Sequence, residues 1–274
     1  MMPFNLRSLN TICLITLFAL FAQGTQAQSS VLSYQKEKDG VSFVLNNGLM
    51  KIRVCSDDIV QIKFTALPAF PVFNSLVVNN SFSTPTNFQI TEKGGNIIIS
   101  TKKLNIQVDK TNYAISYYNK AGELITAEDN VSNKKMEAQT VAGIPTYSCS
   151  TSFISPKDEA LFGLGCHPVD TGAMNYKGRN QDMTIKYLTG AIPVLLSSKG
   201  FGLYWDNYAS SNFYGAESNN TKFKYVSESG KQVNYYFFTA LISIISLTSI
   251  VKQLVRRRCF QNGLLDYFNH RIGT

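Results

Sequence analysis

Leu161 to Trp205 gathers more chemistry-bearing side chains than any other stretch of the chain. His167, Asp170 and Asn175 stand among Gly163, Gly165 and Gly172, and Lys177, Gly178 and Arg179 follow. A polar, glycine-rich loop is not needed to fill a core, and sites are commonly built on such loops when a rigid sheet holds them. The competing reading is a loop packed on its own domain, with His167 and Asp170 satisfied internally. His167 and His270 are the two histidines, so a Ser-His-Asp arrangement would have to use His167. No Gly-x-Ser-x-Gly elbow accompanies it. Asp57-Asp58 is a pair in sequence only, because neighbours on a strand face opposite ways, and it reads as a solvated turn. Asp158-Glu159 reads as a solvated turn or helix start before Leu161. Phosphate-cradling and dinucleotide fingerprints are absent, so no cofactor is expected.

The elements that must hold this loop are strands. Val41–Leu45 and Leu49–Val54 flank Asn46-Asn47-Gly48, a hairpin signal with glycine free to take positive φ. Ile59–Phe64 alternates apolar and polar residues as a half-buried strand does. Asn96–Thr101, Leu104–Asp109, Tyr113–Asn119 and Glu123–Thr126 continue the series. Ile192–Ser197 is expected to pair with Gly202–Asp206, and Phe223–Ser227 with Gln232–Phe238 across Glu228-Ser229-Gly230. Short strands with regular turns predict an all-β protein, an antiparallel sandwich or barrel, over residues 29–238. The chain has 274 residues, 44% apolar and 16% charged, with 14 Tyr and 18 Phe against one Trp. That composition supports a sizeable core and suits sheet surfaces.

The two ends differ from the middle. Residues 1–28 read as a secretory signal, with Arg7, the apolar run Ile12–Ala22, and small residues at Thr25-Gln26-Ala27. Export to the periplasm or outside is therefore expected, in an oxidising compartment. Cys55, Cys149, Cys166 and Cys259 then remain. Their spacing fits neither a disulfide framework nor a zinc site, so buried free thiols, with a single bridge as the alternative, and no bound metal are expected. Residues 239–274 carry Lys252, Arg256, Arg257, Arg258 and Arg271 against Asp266. Of the net charge of +8, a mild +3 is left over 29–238, which argues against a nucleic-acid footprint. Phe237–Val251 followed by Arg256–Arg258 has the form of a short membrane stop with a positive flank. A membrane-anchored sandwich that binds carbohydrate or another partner is the alternative reading of the chain.

The sequence resembles the N-terminal sandwich of glycoside hydrolase family 31, which includes α-glucosidases and α-xylosidases. Four pieces carry the resemblance, in order and spacing: Leu161–Gly165, Asn175–Arg179, Ile192–Leu203 and Trp205–Tyr208. It covers roughly 35–238 and is nearest to secreted α-xylosidase-like members. It implies a galactose-mutarotase-like supersandwich that precedes a (β/α)₈ barrel carrying two catalytic carboxylates, a nucleophile and a general acid/base. Retaining glycosidases hold those carboxyls about 5–5.5 Å apart, and such a barrel takes ~250 residues. Residues 239–274 are too few to build it, so no catalytic residue maps onto this chain, and an inert fragment is expected. The parent enzyme's partner would be an α-glucoside or α-xyloside. The family's sandwich lends a loop to the sugar site, matched here by Lys186–Ala191, with Leu188 where relatives often have Asn. Substrate contact would fall to Tyr187 and Thr189, with His167, Asp170 and Asn175 nearby. Trp205 is expected in the core. A free-standing mutarotase would need a base and an acid in one pocket, and no acidic partner for His167 stands out. Loss of the barrel should also bare an apolar patch.

The family continues past this point with Pro-Met-Phe-Pro-Lys-Trp and then Gly-Leu-Phe-Gln-Ser-Gln, neither of which occurs here. Codons compatible with Arg258–Gly263, regrouped by one base, spell the first. Codons compatible with Asp266–Arg271, regrouped the same way, spell the second. Residues from about Thr239 onward are therefore expected to be an out-of-frame translation, with the apolar run and arginine cluster as its by-products.

Overall fold

A computed structural model describes residues 30–78, 82, 86–167, 175–184 and 190–239. Residues 1–29 (which include the expected signal), Asp170, Tyr187, Thr189 and the tail from 240 lie outside the described residues. In chain order the strands are β1 (Val31–Lys36), β2 (Gly40–Leu45), β3 (Gly48–Val54), β4 (Ile59–Thr65), β5 (Gln89–Lys93) and β6 (Asn96–Ser100). Next come β7 (Leu104–Asp109), β8 (Ile115–Asn119), β9 (Leu124–Ala127), β10 (Lys134–Val141), β11 (Ile144–Ile154) and β12 (Leu161–Cys166). The last six are β13 (Asn180–Asp182), β14 (Gly190–Ser197), β15 (Phe201–Trp205), β16 (Ser211–Glu217), β17 (Lys222–Gly230) and β18 (Val233–Thr239). There is no helix among the described residues.

All pairings are antiparallel. One eight-stranded sheet runs β1-β2-β3-β4-β18-β15-β14-β12, and two five-stranded sheets run β10-β11-β17-β16-β13 and β5-β6-β7-β8-β9. Side chains from all three sheets meet in one core, as with Ile52, Ile106 and Phe213. Tyr117 of β8 stacks on Phe237 of β18 at 3.9 Å, and Phe153 of β11 meets Tyr235 edge-on at 5.4 Å. A lone bridge from Glu128 to Phe153 ties the two smaller sheets together. Trp205 is in the core as expected, stacked on Tyr225 and donating to Ser227 Oγ at 2.7 Å.

β18 is buried on both faces from Val233 to Phe238. Its second face, with Tyr204, Ile59 and Cys55, lies in a smaller cluster joined by Val77, Val78 and Phe82. A strand covered on both sides loses its polar alternation and reads as a continuous apolar run. This is the origin of the first part of the Phe237–Val251 stretch. Phe237, Phe238 and Thr239 are sheet residues, paired with Leu203, Gly202 and Phe201. Twelve residues of that stretch, 240–251, lie beyond the strand, against the ~20 that cross a bilayer.

One expected pairing is wrong. β17 and β18 do not form a hairpin: β17 pairs with β11 and β16, whereas β18 pairs with β15 and β4. Residues 228–230 extend β17, and the chain then crosses from one sheet to the other. Gln232–Phe238 needs cover on both faces, which only a central strand of the large sheet provides. The β10–β11 hairpin was missed, because its turn, Ala142-Gly143, lacks an asparagine or aspartate. Both turn residues have positive φ, 50° and 79°, as a two-residue hairpin requires. Val72 and Leu76 are exposed near Tyr208, and Leu32, Val131 and Ile144 stand elsewhere in the sequence.

A charged pair sits in the core. Glu128 and Lys134 are fully buried and bonded to each other. Glu128 also accepts from Tyr235 Oη at 2.7 Å and from Ile115 N at 2.9 Å, and Lys134 Nζ donates to Tyr113 O at 3.3 Å. Tyr235 meets Tyr117 hydroxyl to hydroxyl at 2.9 Å. Burial lowers the Lys134 pKa, and burial followed by the Glu128 charge pushes both tyrosines well above their ordinary value. Lys134→Met strands a buried carboxylate and should cost about 3–5 kcal/mol in denaturant unfolding. The pair Glu128→Gln/Lys134→Met removes both charges and should recover part of that loss in the same measurement.

Candidate functional site

The glycines of Leu161–Cys166 set how β12 lies against β14. Gly163, Leu164 and Gly165 all have positive φ, at 107°, 62° and 101°. The pairing of β12 with β14 shifts register there. A Cβ on Gly163 would meet Val194 O at 2.3 Å, and one on Gly165 would meet Gly190 O at 1.8 Å. The two strands approach this closely only because neither residue has a side chain. The bulge turns the Leu164 carbonyl toward His167.

His167 is buried and both ring nitrogens are used. Gln181 Nε2, on β13, lies 3.2 Å from Nδ1, and Nε2 lies 2.7 Å from Leu164 O. An amide nitrogen only donates, so Nδ1 accepts and the ring proton sits on Nε2, donated to the carbonyl. This imidazole staples β12 to β13 and has no nitrogen left for proton transfer or a metal. Asn175, at the far end of the same loop, accepts from Leu161 N at 2.9 Å and Lys177 N at 3.0 Å. Tyr176 N donates to Leu161 O at 2.7 Å, and its ring meets Phe213 edge-on. His167 and Asn175 therefore hold the two ends of the loop. Asp170, Tyr187 and Thr189 lie outside the described residues. No cluster of three metal-ligating side chains occurs among the described residues.

The two acidic pairs behave differently from a solvated turn. Asp158 is exposed and pairs with Lys199, but Glu159 is 3% exposed. Its carboxyl accepts from Ser155 Oγ at 2.7 Å and from Ser197 Oγ. Burial raises its pKa, against the pull of those hydroxyls. At the other pair, Lys102 N donates to Asp57 Oδ1 at 3.2 Å, and Asp58 binds Lys103 at 2.8 Å. These carboxylates fasten β4 to the β6–β7 turn. Cys55 and Cys149 are buried free thiols as expected, with burial pushing both pKa values to about 12. Cys166 is a free thiol but exposed, because it closes an edge strand.

A second polar cluster escaped sequence reasoning, although Trp205-Asp206-Asn207-Tyr208 had marked its place. Asp206 is 1% exposed. It accepts from Tyr204 Oη at 2.9 Å, Tyr208 Oη at 2.8 Å, Ser75 Oγ at 3.3 Å and Asn234 Nδ2 at 3.1 Å. Burial raises its pKa, and these donors pull the other way. Residues 71–73 face the loop after it across a cleft of about 320 Å³. Ser210 Oγ and Thr184 Oγ1, 3.0 Å apart, link that loop to the end of β13.

The topology and the bulged β12 edge can be compared with known proteins. The family model for the glycosyl hydrolase 31 N-terminal galactose mutarotase-like domain matches residues 49–213. The chain belongs to this family. An isomaltosyltransferase from Sporosarcina globispora is 25% identical over 80% of this chain and 21% of its own length. An α-xylosidase from Saccharolobus solfataricus is 24% identical over 70% of this chain and 26% of its own. The family 31 dextranase of Flavobacterium johnsoniae, solved with isomaltotriose, shares the fold at a TM-score of 0.68 and 21% identity. That likeness covers 84% of this chain and 28% of the dextranase. A family 31 α-xylosidase from a soil metagenome, solved with xylose, gives a TM-score of 0.64. The chain thus spans about a quarter of the length of its relatives, and what it matches in them is the family 31 sandwich.

A carboxyl whose folded pKa is raised holds its proton more tightly in the folded state than in the unfolded one. Glu159 therefore favours folding below the ordinary glutamate pKa of 4.5. That contribution is lost as pH rises from there through the raised value. Across that window, melting curves should show less loss of stability with rising pH in Glu159→Gln than in wild type, the variant keeping only the part due to Asp206.

Proposed function

We propose that this chain is the amino-terminal sandwich of an exported family 31 α-glycosidase, whose parent reaction hydrolyses α-xylosides or α-glucosides, and that the sandwich itself is catalytically inert. The family match over 49–213 carries the first part. Export rests on the signal-like residues 1–28. Inertness rests on what the carboxylates are doing. Retaining hydrolysis needs two of them about 5–5.5 Å apart with a sugar between. Among the described residues, one cleft has no carboxylate in its wall, and another has Asp206, already accepting from four donors. Glu128 and Glu159 are buried and spoken for.

In the parent, the sandwich would contribute sugar contacts through residues 163–191. Asp170, Tyr187 and Thr189 would meet the ligand, and His167 and Asn175 would fix the loop that presents them. The out-of-frame origin of the tail belongs to the same proposal. β-pairing runs through Thr239, which is compatible with a shift that begins at about that residue.

Purified chain should release no aryl product above background from aryl α-glucoside or aryl α-xyloside, and clear turnover would overturn the assignment of inertness. Sequencing the locus across codon 239 and several hundred bases beyond should reveal a barrel-coding frame one base away. Its absence would sink the frameshift.

A further inference from the structure

The large sheet turns one face to the shared core, and its other face is only half covered. On that outer face the registers place Phe162, Leu196, Gly202, Phe238 and Ile59 in one row across β12, β14, β15, β18 and β4. Val194, Tyr204 and Tyr236 form the next row. Ile59, Tyr204, Tyr236 and Phe238 are buried in the smaller cluster with Val77, Val78 and Phe82. The Arg53 guanidinium of β3 lies over the Phe82 ring, 5.7 Å from its centre, so this segment covers the β3–β4–β18 side. The β12–β14 side stays open. Phe162 is 38% exposed, and Ile192, Val194 and Leu196 are half-buried. Contiguous apolar surface left bare in this way marks a docking surface.

The chain itself leaves the sheet beside this surface. Thr239, the last residue of β18, pairs with Phe201, one place from the Gly202–Phe238 pair. Residues 240–254, outside the described residues, follow directly. In their sequence Ala240, Ile244, Leu247, Val251 and Leu254 recur at spacings of four and three, and Ser246, Ser249, Gln253 and Arg256 fall opposite them. That is the period of an amphipathic helix, with Ile242 and Ile250 as the exceptions. Fifteen such residues would measure about 22 Å as a helix, and the eight residues of β14 extend about 26 Å, so the apolar stripe matches the strand it would cover. A segment tethered next to its site acts at an effective concentration of about millimolar, which a second copy in dilute solution does not reach. We propose that residues 240–254 fold back over the open side of this face, with Ile244, Leu247 and Val251 against Phe162, Val194 and Leu196. Docking needs only the apolar period, so it is independent of the reading frame that produced the tail and of the parent reaction.

The test is photocrosslinking in the full chain, with p-benzoylphenylalanine in place of Phe162 and, as control, in place of Ile144, which is 68% exposed on a different sheet. Irradiation should join position 162 to a peptide within 240–254 at monomer mass, and position 144 should give no such product. Ile244→Asp puts a charge on the apolar stripe and should cut the yield roughly tenfold, whereas Ser246→Asp, on the opposite side, should leave it unchanged. Both variants lie beyond the last strand, so the sandwich folds in either case. Four results would each overturn the proposal: no product between 162 and the tail; a dimer-mass product, which makes the face a contact between two copies; loss of the tail product on adding phosphatidylethanolamine–phosphatidylglycerol vesicles, which makes the segment a membrane insert; or equal effects of Ile244→Asp and Ser246→Asp.

Discussion

The ion pair between Glu128 and Lys134 is the constraint around which the three sheets are arranged. Both groups are buried, so each depends on the other and on the hydroxyls and backbone groups around them. A buried pair of this kind adds little net stability, but a broken one is costly. Groups from all three sheets meet there: Glu128 accepts from Tyr235 of the large sheet, from Ile115 of the β5–β9 sheet and from Lys134 of β10. Sliding any one sheet by a residue would strand a charge. The apolar core around the pair tolerates many packings, whereas the pair admits one.

With the sheets registered in this way, the approach of β12 to β14 is set by sterics rather than by charge. Two glycines allow β12 to approach β14 where a Cβ would collide with a carbonyl. His167 and Asn175 then spend their hydrogen bonds holding the loop's ends. The polar density that marks this region in sequence is thus scaffolding where it is described. Polar side chains cannot be sorted into satisfied and unsatisfied from sequence, because their partners are distant along the chain. Asp206 and Asn234 are bonded across 28 positions, Glu128 and Tyr235 across 107.

Much of the fold was legible in advance. The Asn46-Asn47-Gly48 turn and the Ile192–Asp206 hairpin appear where local rules put them, and Ile59–Phe64 is a strand as expected, but one buried on both faces rather than half-buried. Local rules failed where a tertiary demand overrode them. The turn-like Glu228-Ser229-Gly230 became strand, and β18 went to the centre of another sheet because both its faces needed cover. Glu159 follows Asp158 in a segment that reads as solvated, but the Ser197 strand folds over it.

From sequence alone came the all-β class, the family likeness over most of 35–238, and the glycine-rich segment at 161–178, because each rests on short-range periodicity or ordered motifs. Only the tertiary structure decided which strands neighbour one another, which carboxylates are buried, and that His167 has no free nitrogen. Those properties depend on pairs of residues far apart in the chain, and contact between them exists only after the sheets have closed on their shared core.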